Sequence, residues 1–348
     1  MEKPKYTVAI SGLNAIDNPG PGVAVARGLK EASSFDVRII GFSYESLEPG
    51  IYMHQLIDKV YQIPYPSAGT EVLMARLKYI NEKENLDLII PNFDAELNSF
   101  MILENALAEL GIKTFLPTEK QFEERHKINL PEFGKKYDIK VPHSKAIYEM
   151  TEIYRLTEEF VYPILVKGKF YDAYVAYDAE QARNYFNKIS AQWGVPIIIQ
   201  EFVRGNEYNV TGLGDGEGNM IAAVPMRKQY ITDKGKAWGG ISIADEKMLD
   251  LTKRFVENTK WRGGFELELM KTQEGDFYLL EINPRMPAWI YLAVGVGQNI
   301  PEALVNLAMG KKVPPFETYD VGKMFIRYAY DMIVDIAEFE QISTKGEL

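Results

Sequence analysis

Two acidic segments late in the chain have the residue types and spacing to hold a hard cation. In Glu266-Leu267-Glu268-Leu269-Met270 acidic and apolar residues alternate, and in Glu281-Ile282-Asn283 a carboxylate and an amide again stand two apart. Side chains alternate across a strand, so Glu266 and Glu268 share one face of the first segment, and Glu281 and Asn283 share one face of the second. Residues 271–276 contain Gly275 and read as a hairpin turn, which lets Glu268 and Glu281 converge. Two carboxylates and an amide oxygen suit Mg2+, which shares its shell with substrate phosphates. Without a cation, neighbouring carboxylates repel and are costly to desolvate. Glu266 on its own reads as a solvated edge residue. The metal set expected here is therefore Glu268, Glu281 and Asn283, with Pro284-Arg285 directly behind it.

A second chemical signal is Lys167, which closes the apolar run Pro163-Ile164-Leu165-Val166. An ammonium at the end of a buried strand is expensive unless an anion meets it. A third is the basic, glycine-bearing stretch of residues 225–240, which holds Arg227, Lys228, Lys234 and Lys236 in an acidic chain. Nearer the start, Asn92-Phe93-Asp94-Ala95-Glu96 follows a strand, and a helix begins near Gly22; both read as plain helix caps first and as ligand contacts at the end of a sheet second.

Composition excludes several classes. The 348 residues include no cysteine, which removes disulfides, thiolate metal sites and cysteine nucleophiles. The three histidines, His54, His126 and His143, form no metal-binding spacing. The formal net charge of −10 argues against a nucleic-acid binder. No apolar run approaches the ~18 residues that span a bilayer, and the first residues lead into a strand rather than an apolar signal, so a soluble cytoplasmic protein is expected.

These groups need a scaffold. Residues 6–10, 37–41 and 86–91 read as buried strands, and 23–32, 71–84 and 95–110 as helices. That alternation predicts a parallel α/β sheet over residues 1–115. A charged helical stretch is expected over 117–144. Beyond it, strands at 162–167, 197–202, 207–212, 220–225, 264–270 and 277–282, interrupted by one helix at 179–193, predict an α+β domain over 116–315 with a small lid at about 146–205. A strand over 323–333 and a polar tail complete residues 316–348.

Taken in this order over about residues 1–310, the motifs resemble the ATP-grasp superfamily, in its branch similar to the carbamoyl-phosphate synthetase large chain and biotin carboxylase. The resemblance implies a Rossmann-like pre-ATP-grasp sheet followed by an ATP-grasp domain of two α+β subdomains. It implies ATP with two Mg2+ ions, replaceable by Mn2+, and a carboxylate–amine ligase acting on small molecules, away from nucleic acid and membrane, with a homodimer as its assembly. It assigns Lys127 and Lys167 to the phosphates and Lys169, in a loop with a single glycine, to the phosphate lid. Glu201 and Val203 become the backbone hinge for adenine, with Gln200 where relatives often carry Glu, and Glu207 the ribose acid. Either Arg227 or Lys236 meets the γ-phosphate or acyl phosphate, and Arg285 faces the reacting group. His126 departs from the acid that relatives place before the lysine. Trp289 stands either in the acceptor pocket or in the core. The alternatives to a carboxylate–amine ligase are a bicarbonate-phosphorylating enzyme and an ATP-binding regulator without turnover.

Overall fold

The computed structural model describes residues 3–16, 18–169, 172–232 and 235–348. It divides into two compact units. The first gathers residues 1–119, 209–266 and 283–348, and the second gathers 120–208 and 267–282.

The first unit opens with four strands, β1 (Lys5–Ile10), β2 (Asp36–Ser43), β3 (Lys59–Gln62) and β4 (Leu88–Ile90), all parallel in the order β3-β2-β1-β4. Val8, Ala9 and Ile10 are fully buried in succession, as expected of a central strand covered on both faces. Helix α1 (Pro21–Lys30) turns its Gly22, Val25, Ala26 and Leu29 stripe inward, the i, i+3, i+4, i+7 spacing of one helix face. Helix α2 (Thr70–Glu84) buries Leu73, Leu77 and Ile80. The expected helix over 95–110 is interrupted at Leu103, giving α3 (Asp94–Ile102) and α4 (Glu104–Glu109).

In the second unit the stretch over 117–144 is not one helix. It forms α5 (Glu119–Glu124), whose first residue belongs to the first unit, and α6 (Leu130–Tyr137), joined by a turn that carries Lys127. Four strands follow: β5 (Ser144–Ile147), β6 (Ile164–Lys167), β7 (Ala173–Ala176) and β8 (Ile197–Glu201), an antiparallel sheet in the order β5-β8-β6-β7. Helix α7 (Ala179–Trp193) covers it, capped by Asp178, whose carboxylate accepts the Gln181 N–H. Ile147, Ile153, Leu156, Phe160, Ile164 and Phe186 belong to this unit's own core.

The remaining strands, β9 (Asn206–Asp215), β10 (Met220–Ile231), β11 (Ala237–Ser242), β12 (Arg262–Lys271), β13 (Phe277–Asn283) and β14 (Met324–Ile326), form one sheet in the order β13-β12-β9-β10-β11-β14. The chain passes between the units within β9, β12 and β13. Between β11 and β12, where the sequence predicts no helix, lies α8 (Glu246–Thr259), capped by Asp245 and burying Met248, Leu251, Phe255 and Val256. After β13 come α9 (Tyr291–Gly295) and α10 (Ile300–Ala308).

The end of the chain also differs from expectation. The strand over 323–333 shrinks to β14, and the polar tail is α11 (Ile336–Lys345). The Asp335 carboxylate accepts the Ala337 N–H and starts that helix, and Ile342 fixes it by complete burial.

Candidate active site

Lys167 ends β6, with Ala173 of β7 and Ile198 of β8 as its neighbours in the sheet. Desolvation, reinforced by the nearby Lys127 cation, pulls its ammonium down to about 8, while Glu281, Glu268 and Glu207 oppose the shift. The second unit thus collects a second lysine and three carboxylates about the Lys167 ammonium. Lys127 Nζ lies 3.4 Å from Glu281 Oε2. Glu281 and Lys127 are each partly accessible, at 33% and 21%, so this pair is open to exchange for other partners. Among the described residues no three His, Cys, Asp or Glu side chains gather as a metal cluster. The expected set has only two carboxylates, its third member being the amide of Asn283.

After Lys167 the Gly168 N–H donates to the Asp172 carbonyl at 3.0 Å. Asp172 takes a left-handed conformation, φ 66°, and its carboxylate accepts the Trp193 indole N–H at 2.7 Å. Lys169 is exposed, while Phe170 and Tyr171 lie outside the described residues.

At the end of β8, Glu201 is anchored on both sides of its Cα. Its N–H donates to the His143 carbonyl and its carboxylate accepts the His143 N–H, each at 2.9 Å. Regular strand stops there, so Phe202, Val203 and Arg204 are outside the sheet. Gln200 is only 4% exposed, and its side-chain oxygen is buried with no hydrogen-bond partner. A buried orphan acceptor is costly and points to a donor that binds there. Glu207 lies exposed on β9.

In the first unit the acidic strand overturns one expectation. Glu266 is not a solvated edge residue: it is 6% exposed. Its Oε1 accepts the Asn209 amide at 2.8 Å and the Trp289 indole N–H at 2.6 Å, and its Oε2 accepts the Asn283 amide at 3.0 Å. Three donors offset the desolvation of one carboxylate. The same bonds aim Asn283, whose nitrogen is committed to Glu266, and bring Trp289 into the core, where it is 5% exposed.

Arg285 donates from Nε to Asp94 Oδ2 at 2.8 Å. The adjacent Glu96 is a cap, not a ligand contact. It is 1% exposed and accepts the N–H groups of Asn92 and Phe93 at 2.7 and 3.0 Å, together with the hydroxyls of Ser11 and Tyr44. Gly12, φ 80°, makes this approach possible, because a Cβ there would lie 2.9 Å from Asn92 Cβ. The basic, glycine-bearing stretch lies largely on β10 and β11. Arg227 is exposed on β10 opposite Ile241, and Lys236 is exposed in the turn, its carbonyl accepting the Thr232 N–H at 2.8 Å. Asp233 and Lys234 lie outside the described residues.

A desolvated lysine beside a second lysine and carboxylates is suited to an anion that is accompanied by a cation. Residues 194–325 match the family described as "ATP-grasp in the biosynthetic pathway with Ter operon". The carbamoyl phosphate synthase large chain of Clostridium botulinum (strain Alaska E43 / Type E3) is 25% identical over 250 residues, 67% of this chain and 23% of that one. This chain therefore covers under a quarter of that curated relative's length. Biotin carboxylase from Campylobacter jejuni, solved as a complex with a β,γ-ATP ligand, superposes with a TM-score of 0.73 at 17% identity, over 91% of this chain and 74% of that one. N5-carboxyaminoimidazole synthetase from Staphylococcus aureus superposes at 0.68 and 14% identity, over 93% and 83%. Residues 194–325 thus resemble an ATP-grasp family, and the chain shares its fold with these solved structures. Among the described residues no helix is long and apolar enough to cross a membrane.

Proposed function

We propose that the protein is an ATP- and magnesium-dependent ligase that activates a small carboxylate as an acyl phosphate and joins it to an amine. The observation that carries this reading is Lys167, a desolvated ammonium ringed by Lys127, Glu207, Glu268 and Glu281. A lysine held this way is matched to a polyanion, and the carboxylates beside it are matched to a cation that travels with one.

In this reading Lys167 and Lys127 hold phosphate oxygens, Gln200 Oε1 accepts from the base, the backbone of Glu201 and Val203 forms the hinge, and Glu207 takes the ribose hydroxyls. Glu268, Glu281 and Asn283 hold magnesium. When bound, the metal neutralises charge that develops on the phosphates. A substrate carboxylate oxygen attacks the γ-phosphorus, the bond to the β-phosphate oxygen breaks, and ADP leaves. The amine then attacks the acyl carbon and phosphate leaves. Arg227, Lys236 and Arg285 are the cations available to the transferred group, Arg285 after exchange of its Asp94 partner. Lys169, exposed beside Lys167, lies over the phosphates. No side-chain nucleophile is needed.

The test is ADP release by the purified protein with MgATP and pairs drawn from panels of acids and amines. Bicarbonate belongs in the acid panel because of the sequence similarity to the carbamoyl phosphate synthase large chain. Release dependent on one acid–amine pair, lowered ~100-fold or more by Lys167→Ala and by Glu281→Gln, is the expected result. Turnover by those variants at the wild-type rate would defeat the site assignment. ATP binding without release under any pair would favour a regulator.

A further inference from the structure

Strand β14 is the last of its sheet, paired with β11 on one side and bare on the other among the described residues. That pairing fixes which way each residue points. The Arg327 N–H donates to the Trp238 carbonyl at 3.0 Å, and the Lys323 carbonyl accepts the Ser242 N–H at 2.9 Å. Residues 323, 325 and 327 thus turn their backbone groups toward β11, and Met324, Ile326 and Tyr328 turn theirs to the open edge. Side chains alternate too. Phe325 packs on the core of the first unit, whereas Met324, Ile326 and Tyr328 are 49%, 66% and 76% exposed. Gly239 pairs with both Tyr230 and Ile326 and has no side chain to separate them; a Cβ there would lie 3.3 Å from the Tyr230 ring. Tyr230 and Ile231 are exposed as well, and Tyr328 stacks on the exposed Tyr330 with ring centroids 5.6 Å apart.

Such an edge is a liability. Proteins that stay monomeric blunt their edges with charge, proline or a covering element. Residues 324–330 hold no proline and one charge, Arg327, which alternation places on the Phe325 side and away from the exposed row. The large side chains of Tyr230, Ile231, Met324, Ile326, Tyr328 and Tyr330 leave on the order of 700 Å2 accessible. That exceeds the few hundred Å2 usual for a patch on a monomer and approaches the ~800 Å2 that each partner gives to a stable interface.

We propose that a second copy of the chain docks on this edge, β14 pairing antiparallel with its counterpart across a two-fold axis at Ile326. The register is self-complementary. Ile326 meets its own counterpart and Met324 meets Tyr328, each pair exchanging backbone hydrogen bonds through the groups that point to the open side. The exposed rows then join on one face, apolar against apolar. The flanks carry opposite charge, Lys323 before the segment and Asp331 after it, both exposed, and antiparallel pairing brings one toward the other. An unrelated extended strand would satisfy the backbone equally; a copy of the chain supplies the match of register and charge as well. The proposal concerns assembly and stands apart from the ligase reading.

The test uses the full chain. Sedimentation equilibrium between about 1 and 100 µM is expected to give the mass of two chains for wild type, with a Kd of ~10 µM or tighter. Ile326→Lys sets like charges opposite each other across the axis, and Ile326→Pro removes the outward N–H while leaving the pairing with β11 intact. Each should weaken the dimer at least ~10-fold. A single-cysteine variant reads the position directly and does not depend on either of these folding unchanged. The chain has no cysteine of its own, and directly opposed residues of a hydrogen-bonded antiparallel pair have Cα atoms about 5.5 Å apart, within reach of a disulfide. Ile326→Cys should therefore cross-link to a covalent dimer under a mild thiol oxidant, while Tyr154→Cys, an exposed position in the second unit, stays a single chain. Wild type of single-chain mass at about 100 µM, a Kd unchanged in both Ile326 variants, or equal cross-linking of the two cysteine variants would each overturn the proposal.

Discussion

Lys167 must hold its charge in a place that resists it. Its folded value, about 8, lies below its ordinary value of 10.5. Between these two pH values the unfolded chain binds a proton that the folded, ligand-free chain does not, so Lys167 makes stability rise with pH across that window. Below about pH 8 the buried charge is a standing cost. A bound polyphosphate removes that cost by restoring the favourable charge. MgATP binding above about pH 8 is therefore expected to take up a proton, which calorimetry in buffers of different ionisation enthalpy would detect. Lys167→Met should bind ~100-fold more weakly and without that uptake. Equal proton uptake by the variant would show that another group titrates. This lysine was legible in the sequence because a charge closing an apolar strand has few bland explanations. Glu266 was not legible. Its donors Asn209 and Trp289 are 57 and 23 residues away, and alternation along a strand gives a face without saying what covers it.

Elements with continuous burial or a clear period were legible, and those defined by partners were not. The parallel strands, α2 and α7 follow from their apolar patterns. Helix α8 has an equally good pattern, with Asp245 as cap and Met248, Leu251, Phe255 and Val256 on one face, but the strands around it mask the pattern in the sequence. The carboxyl end of the parallel sheet shows what pattern reading leaves out. Glu48, just after β2, is 6% exposed. Its Oε1 accepts the Tyr44 N–H at 2.7 Å, and Oε2 is buried without a partner. Burial raises its carboxyl to about 7, against the hydrogen bonds from Tyr44 and Glu45 that lower it. The folded state therefore holds a proton that the unfolded chain has released, above the ordinary 4.5. This contribution is complete below about pH 4.5 and is lost as pH rises to about 7. It amounts to at most about 3 kcal/mol. Glu48→Gln keeps an acceptor for Tyr44 and cannot ionise. Urea unfolding of the two proteins from pH 4.5 to 8 should give curves that diverge with rising pH, the variant becoming relatively more stable. Parallel curves would mean that Glu48 titrates normally.

At the scale of the whole chain, the first unit is assembled from three separated stretches, and its last helix illustrates the consequence. Residues 336–348 return to the edge of the parallel sheet begun some three hundred residues earlier. Val60 and Leu348 exchange backbone hydrogen bonds at 2.8 and 3.0 Å, and the Gln62 N–H donates to the Gly346 carbonyl at 2.9 Å. Arg76 holds that same carbonyl at 2.8 Å, and Lys83 pairs with Glu347 at 3.1 Å. Ile342 is fully buried in the core that also contains Val8 and Ile39. A polar composition concealed this role, because what docks the helix is its backbone and one isoleucine. Deleting residues 336–348 should expose the β3 edge and open a gap at Ile342. The surface pairs contribute little, and the backbone pairs and Ile342 most, for an expected loss of about 3–5 kcal/mol. Hydrogen exchange gives the sharper readout. Protection should fall in β1–β4 of the truncated protein, while β5–β8, which have their own core, keep theirs. Loss of protection in both sheets alike would mean that the two units unfold together, and unchanged stability would show that the last helix is dispensable to the first.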